Sequence, residues 1–306
     1  MSKKVDTSVN LNGLILKNPI MTASGTFGFG KEYEDFMDIS KLGAVVVKGL
    51  TLKPKKGNKT PRIAETPSGI LNSIGLENPG VEHFIKEELS YLKRKGMTVI
   101  ANIAGNTIEE YCEMARILND TECDAIEMNI SCPNVKKGGV AFGTDKDVVY
   151  KITSEVKNNL DKPLIVKLSP NVTDIKEIAK SVEKGGADCL SLINTLIGMA
   201  VDIKTRRPIL KNNIGGLSGP AIKPVALRMV WQVSNTVNIP IIGMGGITSI
   251  EDVIEFLLVG ANAVAIGTGN FINPAINSEL VDKLEEYLID NNISNVNELV
   301  GKIEPY

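Results

Sequence analysis

One run of six residues, Asn129 to Asn134 (Asn-Ile-Ser-Cys-Pro-Asn), combines a thiol with uncharged hydrogen-bonding groups. Cys132 lies between two asparagines, which offer donors and acceptors but no charge. The run follows an apolar segment and precedes a polar, glycine-rich one, which predicts a position where a buried strand ends in a loop. A thiol beside a bound polar, planar ligand is one interpretation. A small buried cysteine with a structural role is the other, and it is the commoner one.

Two lysines interrupt apolar runs, Lys48 after three valines and Lys167 between Val166 and Leu168. Because burying an ammonium group is costly without a partner, each is expected to face an anionic ligand or an acid. A flavin fits this expectation, since its reduced ring carries negative charge that a lysine stabilises. Two alternatives stay open: a lysine that reaches past the strand end into solvent, and a Schiff-base lyase that uses Lys167.

Asparagines and glycines recur around the predicted strand ends, without the paired acids that glycosidases use. The asparagines favour recognition of a neutral ring that contains amides; they are Asn72, Asn102, Asn129, Asn134 and Asn194. The glycines lie in three clusters: Gly245-Gly246, Gly267-Thr268 and Gly215 to Gly219. Backbone N–H groups at such positions hold phosphate in many barrels, so the clusters predict a phosphate-bearing cofactor.

The composition excludes several classes of function. Lysine and arginine number 34 and the acids 36, a net charge of -2, so no basic surface for nucleic acid is expected. The N-terminus has no apolar segment, and the longest apolar stretch falls short of the about 20 residues that span a bilayer, which predicts a soluble, cytoplasmic protein. The single histidine, His83, and four cysteines without a Cys-x-x-Cys pair argue against histidine-based hydrolysis and metal sites.

The elements that position these residues are eight apolar runs with helical stretches between them. The predicted strands are Pro19–Ala23, Ala44–Lys48, Thr98–Ile103, Ala125–Ile130, Leu164–Leu168, Cys189–Asn194, Ile239–Met244 and Ala263–Gly267. Continuous apolar runs are typical of a parallel sheet covered by helices. Eight such units in 306 residues favour one domain, residues 1–306, with an α/β fold: a (β/α)8 TIM barrel whose site lies at the carboxyl ends of the strands.

Local signals add detail to this fold. An Asn-Gly pair within residues 8–16 predicts a short N-terminal β-hairpin that caps one end of the barrel. Thr107 with Glu110, and Thr248 with Glu251, have the spacing of helix capping boxes. Two connections, residues 50–79 and 196–219, are long enough to be functional, and Arg206-Arg207-Pro208 in the second is a candidate interface.

The same segments, taken together, resemble the class 1 dihydroorotate dehydrogenases over nearly the whole chain. The resemblance rests on residues 23–28 (Ala-Ser-Gly-Thr-Phe-Gly), 47–49 (Val-Lys-Gly), 72–80 (Asn-Ser-Ile-Gly-Leu-Glu-Asn-Pro-Gly), 129–134, 166–171 (Val-Lys-Leu-Ser-Pro-Asn), 193–195 (Ile-Asn-Thr), 215–220 and 243–246 (Gly-Met-Gly-Gly). The resemblance implies FMN-dependent oxidation of dihydroorotate to orotate in pyrimidine (UMP) biosynthesis. Cys132 would be the catalytic base that takes the C5 proton while hydride leaves C6 for N5 of FMN.

The resemblance also implies two sets of binding residues. Those for FMN are Ser24, Lys48, Gly49, Asn102, Asn129, Lys167, Ile193, Gly219, Gly245, Gly246, Gly267 and Thr268. Those for the substrate are Lys48, Asn72, Ser73, Ile74, Gly75, Leu76, Asn129, Asn134, Asn194 and Thr195. No metal is implied.

Residues 74–80 are more similar to the NAD-linked subclass B than to the fumarate-using subclass A. Subclass B implies a partner subunit with FAD and a [2Fe–2S] cluster, and a homodimer of this chain within a heterotetramer. A dihydropyrimidine-oxidising or -reducing flavoenzyme, and a barrel that binds its ligand without catalysis, remain alternatives beside the Schiff-base lyase.

Overall fold

The computed structural model describes residues 5–131, 133–134 and 140–306. Within these residues eight parallel strands form one sheet: Ile20–Thr22, Val45–Val46, Val99–Ile103, Ala125–Asn129, Leu164–Lys167, Cys189–Leu192, Ile241–Gly243 and Ala263–Ile266. Each strand pairs with the next in the chain, and the eighth pairs with the first. A bridge between Met21 and Ala44 joins the first strand to the second and closes the ring. The predicted (β/α)8 barrel is confirmed, and the eight predicted strands contain the observed ones.

Helices cover the outside of the barrel. The α-helices are Val81–His83, Ser90–Arg94, Ile108–Asn119, Lys146–Lys157, Ile175–Lys184, Lys223–Ser234, Ile250–Leu258, Gly269–Ile272 and Ile276–Asp290, and a π-helical turn, Phe84–Leu89, joins the first two. Short 3-10 turns are Lys31–Tyr33, Ile39–Lys41, Phe142–Thr144, Pro220–Ile222 and Val296–Leu299. No helix in the described ranges is long and apolar enough to cross a membrane.

Apolar residues at helical spacing hold these helices on the sheet. The helix Ile175–Lys184 buries Ile175, Ile178, Ala179 and Val182, which lie on one face at intervals of three and four residues, against the barrel. Most of the buried apolar side chains of the barrel and its helices form one continuous cluster. The site residues are therefore supported from below by a close-packed core.

One predicted capping box is half present and the other is displaced by one residue. Thr107 accepts a hydrogen bond from Glu110 N at 3.3 Å, as predicted, but the Glu110 carboxylate accepts from the backbone N–H of Asn106 instead of that of Thr107. The pairing of Thr248 with Glu251 is wrong by one residue, because Ser249 is the N-cap and Asp252 its reciprocal partner. The Asp252 carboxylate also accepts a hydrogen bond from Lys223 Nζ at 2.6 Å, which favours this residue over Glu251.

The predicted hairpin is present at the N-terminus. Strands Val9–Leu11 and Leu14–Leu16 pair antiparallel, and Asn12 and Gly13 turn between them with φ of 54° and 102°. Two successive positive φ angles are the geometry that Asn-Gly favours in a two-residue hairpin turn. Alternate residues of both strands are buried and form part of the main core.

The two long connections pair with each other. Strands Ile63–Thr66 and Gly69–Asn72 from the first and Leu196–Gly198 and Gly215–Ser218 from the second form a four-stranded antiparallel sheet, here called the connection sheet. A separate ribbon pairs Val201–Asp202 with Arg207–Pro208. The connection sheet brings residues from distant parts of the chain to the carboxyl ends of the barrel strands.

Candidate active site

Lys167 ends the fifth barrel strand and is buried, with 5% of its surface exposed. Its Nζ donates to Ser24 Oγ at 3.3 Å, which joins the fifth strand end to the first. No carboxylate pairs with this ammonium among the residues described. A buried ammonium group that contacts a hydroxyl but no acid in the described ranges is suited to an anionic ligand.

Lys48 follows the second strand and is half-buried. Its backbone N–H donates to Gly28 O at 3.1 Å, so the loop after the first strand fixes its position. Its ammonium has no ion-pair partner within the described part of the chain. Gly49 comes next, and a Cβ there would lie 3.0 Å from Asn102 Oδ1, so the two strand ends meet closely.

The fully buried Asn102 lies in the third strand and is paired on one side only. Its Nδ2 donates to Glu127 Oε2 at 2.5 Å. Its Oδ1 is buried and has no hydrogen-bond partner among the described atoms. Because an unpaired buried acceptor costs free energy, this oxygen fits a ligand that brings a donor.

A cluster of amides surrounds the end of the fourth strand. Asn194 Nδ2 donates to Asn129 Oδ1 at 3.2 Å and to Ser131 Oγ at 2.9 Å. Tyr111 Oη donates to the carbonyl of Asn129 at 2.6 Å and so holds this residue from the helix side. The cluster offers fixed donors and acceptors without charge, which suits a ring that contains amides.

The connection sheet brings Asn72 to the same rim. Asn72 pairs with Gly216, to which its Nδ2 donates at 3.3 Å. A Cβ at Gly216 would collide with the Thr195 side chain, so only glycine leaves room for Thr195. Asn171 Nδ2 donates to Thr195 O at 2.9 Å and holds it from the other side.

Residues 73–76 follow Asn72 without regular secondary structure. Gly75 and Leu76 have φ of 78° and 57°, and Ser73 Oγ is buried without a partner in the described structure. Asn58 Nδ2 donates to Ser73 O at 2.9 Å, while Arg62 forms an ion pair with Glu77. These contacts hold residues 73–76 in one conformation, since Leu76 would not otherwise keep a positive φ.

The predicted glycine clusters meet at the ends of the last strands. Thr268 Oγ1 donates to Ser218 Oγ at 2.8 Å. A Cβ at Gly246 would lie 2.9 Å from Gly219 O, and one at Gly219 would lie 3.5 Å from Thr268 Cγ2. We call Ser218, Gly219, Gly246 and Thr268 the glycine cluster, and Gly245 and Gly267 are their neighbours in the sequence. Close approach of bare backbone is what a phosphate site requires.

The remaining predicted site residues are Ile193, Asn134 and Cys132. Ile193 is buried beside the seventh strand, where its N–H donates to Met244 O at 3.0 Å, and the Leu192–Ile193 peptide bond is cis. Asn134 pairs with Val140 in a short ribbon. The predicted base, Cys132, lies outside the described residues.

Three other cysteines are free, and none has the environment of a reactive thiol. Burial raises the pKa of Cys189, Cys123 and Cys112, and the charge of Glu127 raises that of Cys189 further. A thiol with a raised pKa stays protonated at neutral pH and is a poor base. Within the described residues no group of three or more His, Cys, Asp or Glu side chains could hold a metal ion.

Sequence reasoning missed Glu127, Ser191, Ser131 and Tyr111. Glu127 lies within the predicted strand Ala125–Ile130, and a single acid within a buried strand is itself a signal. Its carboxylate links the third and sixth strands, through Asn102 and Ser191. Tyr111 gave no such signal, because an aromatic residue in an amphipathic helix is normally core.

The residues present fit the flavin predicted from the sequence. Asn102 Oδ1 lacks a donor, Lys167 is a buried ammonium without a counter-ion in the described structure, and the glycine cluster exposes backbone near a helix start. The Asn102 oxygen suits a polar ring edge, the Lys167 ammonium suits an electron-rich ring, and the glycine cluster suits a phosphate.

A sequence profile described as dihydroorotate dehydrogenase matches residues 7–288. The chain belongs to this family. A relative from Alkaliphilus oremlandii, named dihydroorotate dehydrogenase B (NAD(+)), catalytic subunit, is 58% identical over 96% of this chain and 98% of its own length. Relatives with the same name come from a Thermoanaerobacter species, at 55% identity over 98% of this chain and 99% of theirs, and from Desulforamulus reducens, at 56% over 97% and 98%.

Proposed function

We propose that this chain is the catalytic subunit of an NAD-linked dihydroorotate dehydrogenase, an oxidoreductase that acts on a CH–CH bond in pyrimidine biosynthesis. The observation that carries the proposal is the convergence of buried lysine, unpaired amide oxygen and amide cluster at one rim of the barrel, in a chain of this family. Residues 1–306 would form one FMN-binding barrel domain. A cytoplasmic location remains a prediction from the sequence.

FMN would bind across the carboxyl ends of the strands. The glycine cluster would hold the phosphate, Asn102 and Asn129 would bind polar edges, and Lys167 with Ser24 would face the ring. When bound, FMN supplies the hydride acceptor for C6 of dihydroorotate. The arrangement of Lys167 supports this position, because its ammonium would stabilise negative charge on the ring.

Dihydroorotate would lie between the barrel and the connection sheet. Its carboxylate would be bound by Lys48 and the backbone N–H groups around Gly75, and its ring amides by the asparagines and Thr195. The support for this orientation is that Asn72 and Thr195 meet through Gly216, while Asn194 contacts Asn129. Substrate and cofactor residues would thus face each other across one cleft.

Cys132 would remove the C5 proton. It directly follows Ser131, whose hydroxyl accepts a hydrogen bond from Asn194, and this adjacency together with the family resemblance supports the assignment. An ordinary thiol has a pKa of about 8.5, so the rate should rise toward alkaline pH as the thiolate forms.

A partner subunit would carry the electrons onward to NAD through FAD and a [2Fe–2S] cluster. The name "catalytic subunit" of the relatives supports a partner. We further propose a homodimer of this chain within a heterotetramer. Apolar side chains exposed along the second long connection, Ile197, Met199, Val201 and Ile203, support this region as an interface.

The test is an anaerobic titration of the purified chain. A yellow protein whose flavin absorbance bleaches on addition of dihydroorotate, and not on addition of dihydrouracil, is the expected result. Bleaching by dihydrouracil alone would indicate the dihydropyrimidine enzyme. A colourless protein that borohydride traps through Lys167 would overturn the proposal in favour of a lyase.

A further inference from the structure

Glu127 places a carboxylate in the interior of the barrel, where only 1% of its surface is exposed. Its Oε2 accepts from Asn102 Nδ2 at 2.5 Å, and its Oε1 accepts from Ser191 Oγ at 2.8 Å. Both donors are neutral, and no cation pairs with Glu127 in the ranges that the structure describes. A buried charge kept without a counter-ion is costly, so its place in the site calls for a functional explanation.

The carboxylate determines which way the Asn102 amide faces. Both carboxylate oxygens accept hydrogen bonds in this arrangement, so the NH2 group of Asn102 points toward Glu127. The amide oxygen then points the other way, where it is buried and lacks a partner among the described atoms. That oxygen lies next to Gly49, since a Cβ at Gly49 would be 3.0 Å from it.

We propose that Glu127 is a positioning residue: it fixes the Asn102 amide so that Oδ1 accepts a hydrogen bond from FMN. The oxidised flavin ring has one N–H, and its ribityl chain has hydroxyls, so the cofactor brings donors. A flipped amide would present NH2 to such a donor and lose the bond. Ser191 in turn holds the second carboxylate oxygen. The inference rests on the proposed function only for the identity of the cofactor.

A double-mutant cycle tests this mechanism. Glu127→Gln preserves size but presents both a donor and an acceptor, so it no longer enforces one orientation of Asn102. FMN affinity of the apo-protein, measured by quenching of flavin fluorescence, should fall about tenfold in E127Q and in Asn102→Ala, as for loss of one hydrogen bond. The double variant should bind no more weakly than N102A. Additive losses, or an unchanged dissociation constant in E127Q, would overturn the proposal.

Two further variants distinguish the positioning of Asn102 from a general loss of structure. Ser191→Ala removes one bond to the carboxylate without touching Asn102, and should weaken FMN binding about threefold only when Asn102 is present. Cys189→Ala is the matched control, because Cys189 is fully buried on the same strand and bonds only to its neighbour's backbone. Its FMN affinity and the absorption bands of its bound flavin should equal those of the unmodified chain, whereas the bands should shift in E127Q. Equal losses in C189A and E127Q contradict positioning.

The two proposals fail separately. A coupled cycle in a protein that dihydroorotate does not bleach would refute the proposed substrate and retain the role of Glu127. Bleaching by dihydroorotate together with an additive cycle would refute the role of Glu127 alone.

Discussion

Gly246→Ala is expected to damage FMN binding beyond its effect on stability. Gly246 has a φ of +76°, and a Cβ there would lie 2.8 Å from Lys223 Cβ and 2.9 Å from Gly219 O. Gly301 has a φ of +71° with nothing within 4 Å of such a Cβ. Gly301→Ala is therefore a matched control that has the same backbone strain without the displaced neighbours.

Both variants should lose stability through backbone strain, but only G246A should also lose affinity for FMN. A left-handed conformation costs an L residue about 1–2 kcal/mol. For a domain of this size that strain alone lowers the melting temperature by roughly 2–4 °C in either variant, and the displaced neighbours add to the loss in G246A. Only G246A must also move Gly219 or the start of the helix Lys223–Ser234. Loss of one backbone bond to a phosphate, about 1.5–3 kcal/mol, would weaken FMN binding about 10- to 100-fold.

Thermal melting of the apo-proteins measures the loss of stability, and fluorescence titration with FMN measures the loss of affinity. Riboflavin, which lacks the phosphate, should bind with similar affinity to G246A and the unmodified chain. Unaltered FMN affinity in G246A would refute the glycine cluster as the phosphate site. So would an equal loss of affinity in G301A.

Three other substitutions test different parts of the site. Cys132→Ala should keep the flavin and lower turnover about 100- to 10,000-fold, as measured by dihydroorotate oxidation, and ordinary activity would refute the base. Lys167→Met should lower the midpoint potential of the bound flavin, because the reduced ring loses a positive neighbour; an unchanged or raised potential would contradict this. Burial would raise the pKa of Asp252, but hydrogen bonds from Lys223 and Thr248 lower it overall. The ionised Asp252 carboxylate therefore stabilises the fold above the ordinary carboxyl pKa, and this stabilisation is lost as pH falls through the lowered pKa. The loss of melting temperature in Asp252→Asn should accordingly become smaller below about pH 4. A loss that does not depend on pH would refute the pairing of Asp252 with Lys223.

The barrel was predictable because its signal is local. Each strand is a predominantly apolar run, and a parallel sheet buried on both faces requires such runs. The Asn-Gly hairpin was predictable for the same reason, since two residues determine the turn. The cap at Ser249 was missed because Thr248 and Ser249 have equivalent chemistry, and Lys223, distant in sequence, favours Asp252.

The connection sheet was not predictable from the sequence. Its central strands, Gly69–Asn72 and Gly215–Ser218, are rich in glycine and polar residues, which have low strand propensity. Their pairing joins segments far apart in the chain, so no local pattern records it. Residue type alone singled out Asn72 and the glycines of residues 215–219, but it did not indicate that the two segments are neighbours in one sheet.

In the proposed site the two ligands would have different supports. Most residues predicted to hold FMN lie on barrel strands or within three residues of a strand's carboxyl end, and the register of these strands is determined by a core buried on both sides. Apart from Lys48, the groups predicted to hold the substrate carboxylate belong to residues 73–76, which Asn58 and the pair Arg62–Glu77 support beside the connection sheet. Because the sheet is built from long-range pairing over few buried residues, its opening free energy is expected to be lower than that of the barrel. In the proposed site the substrate side would then open at lower cost than the cofactor side, which would let the chain exchange its substrate while it keeps the flavin.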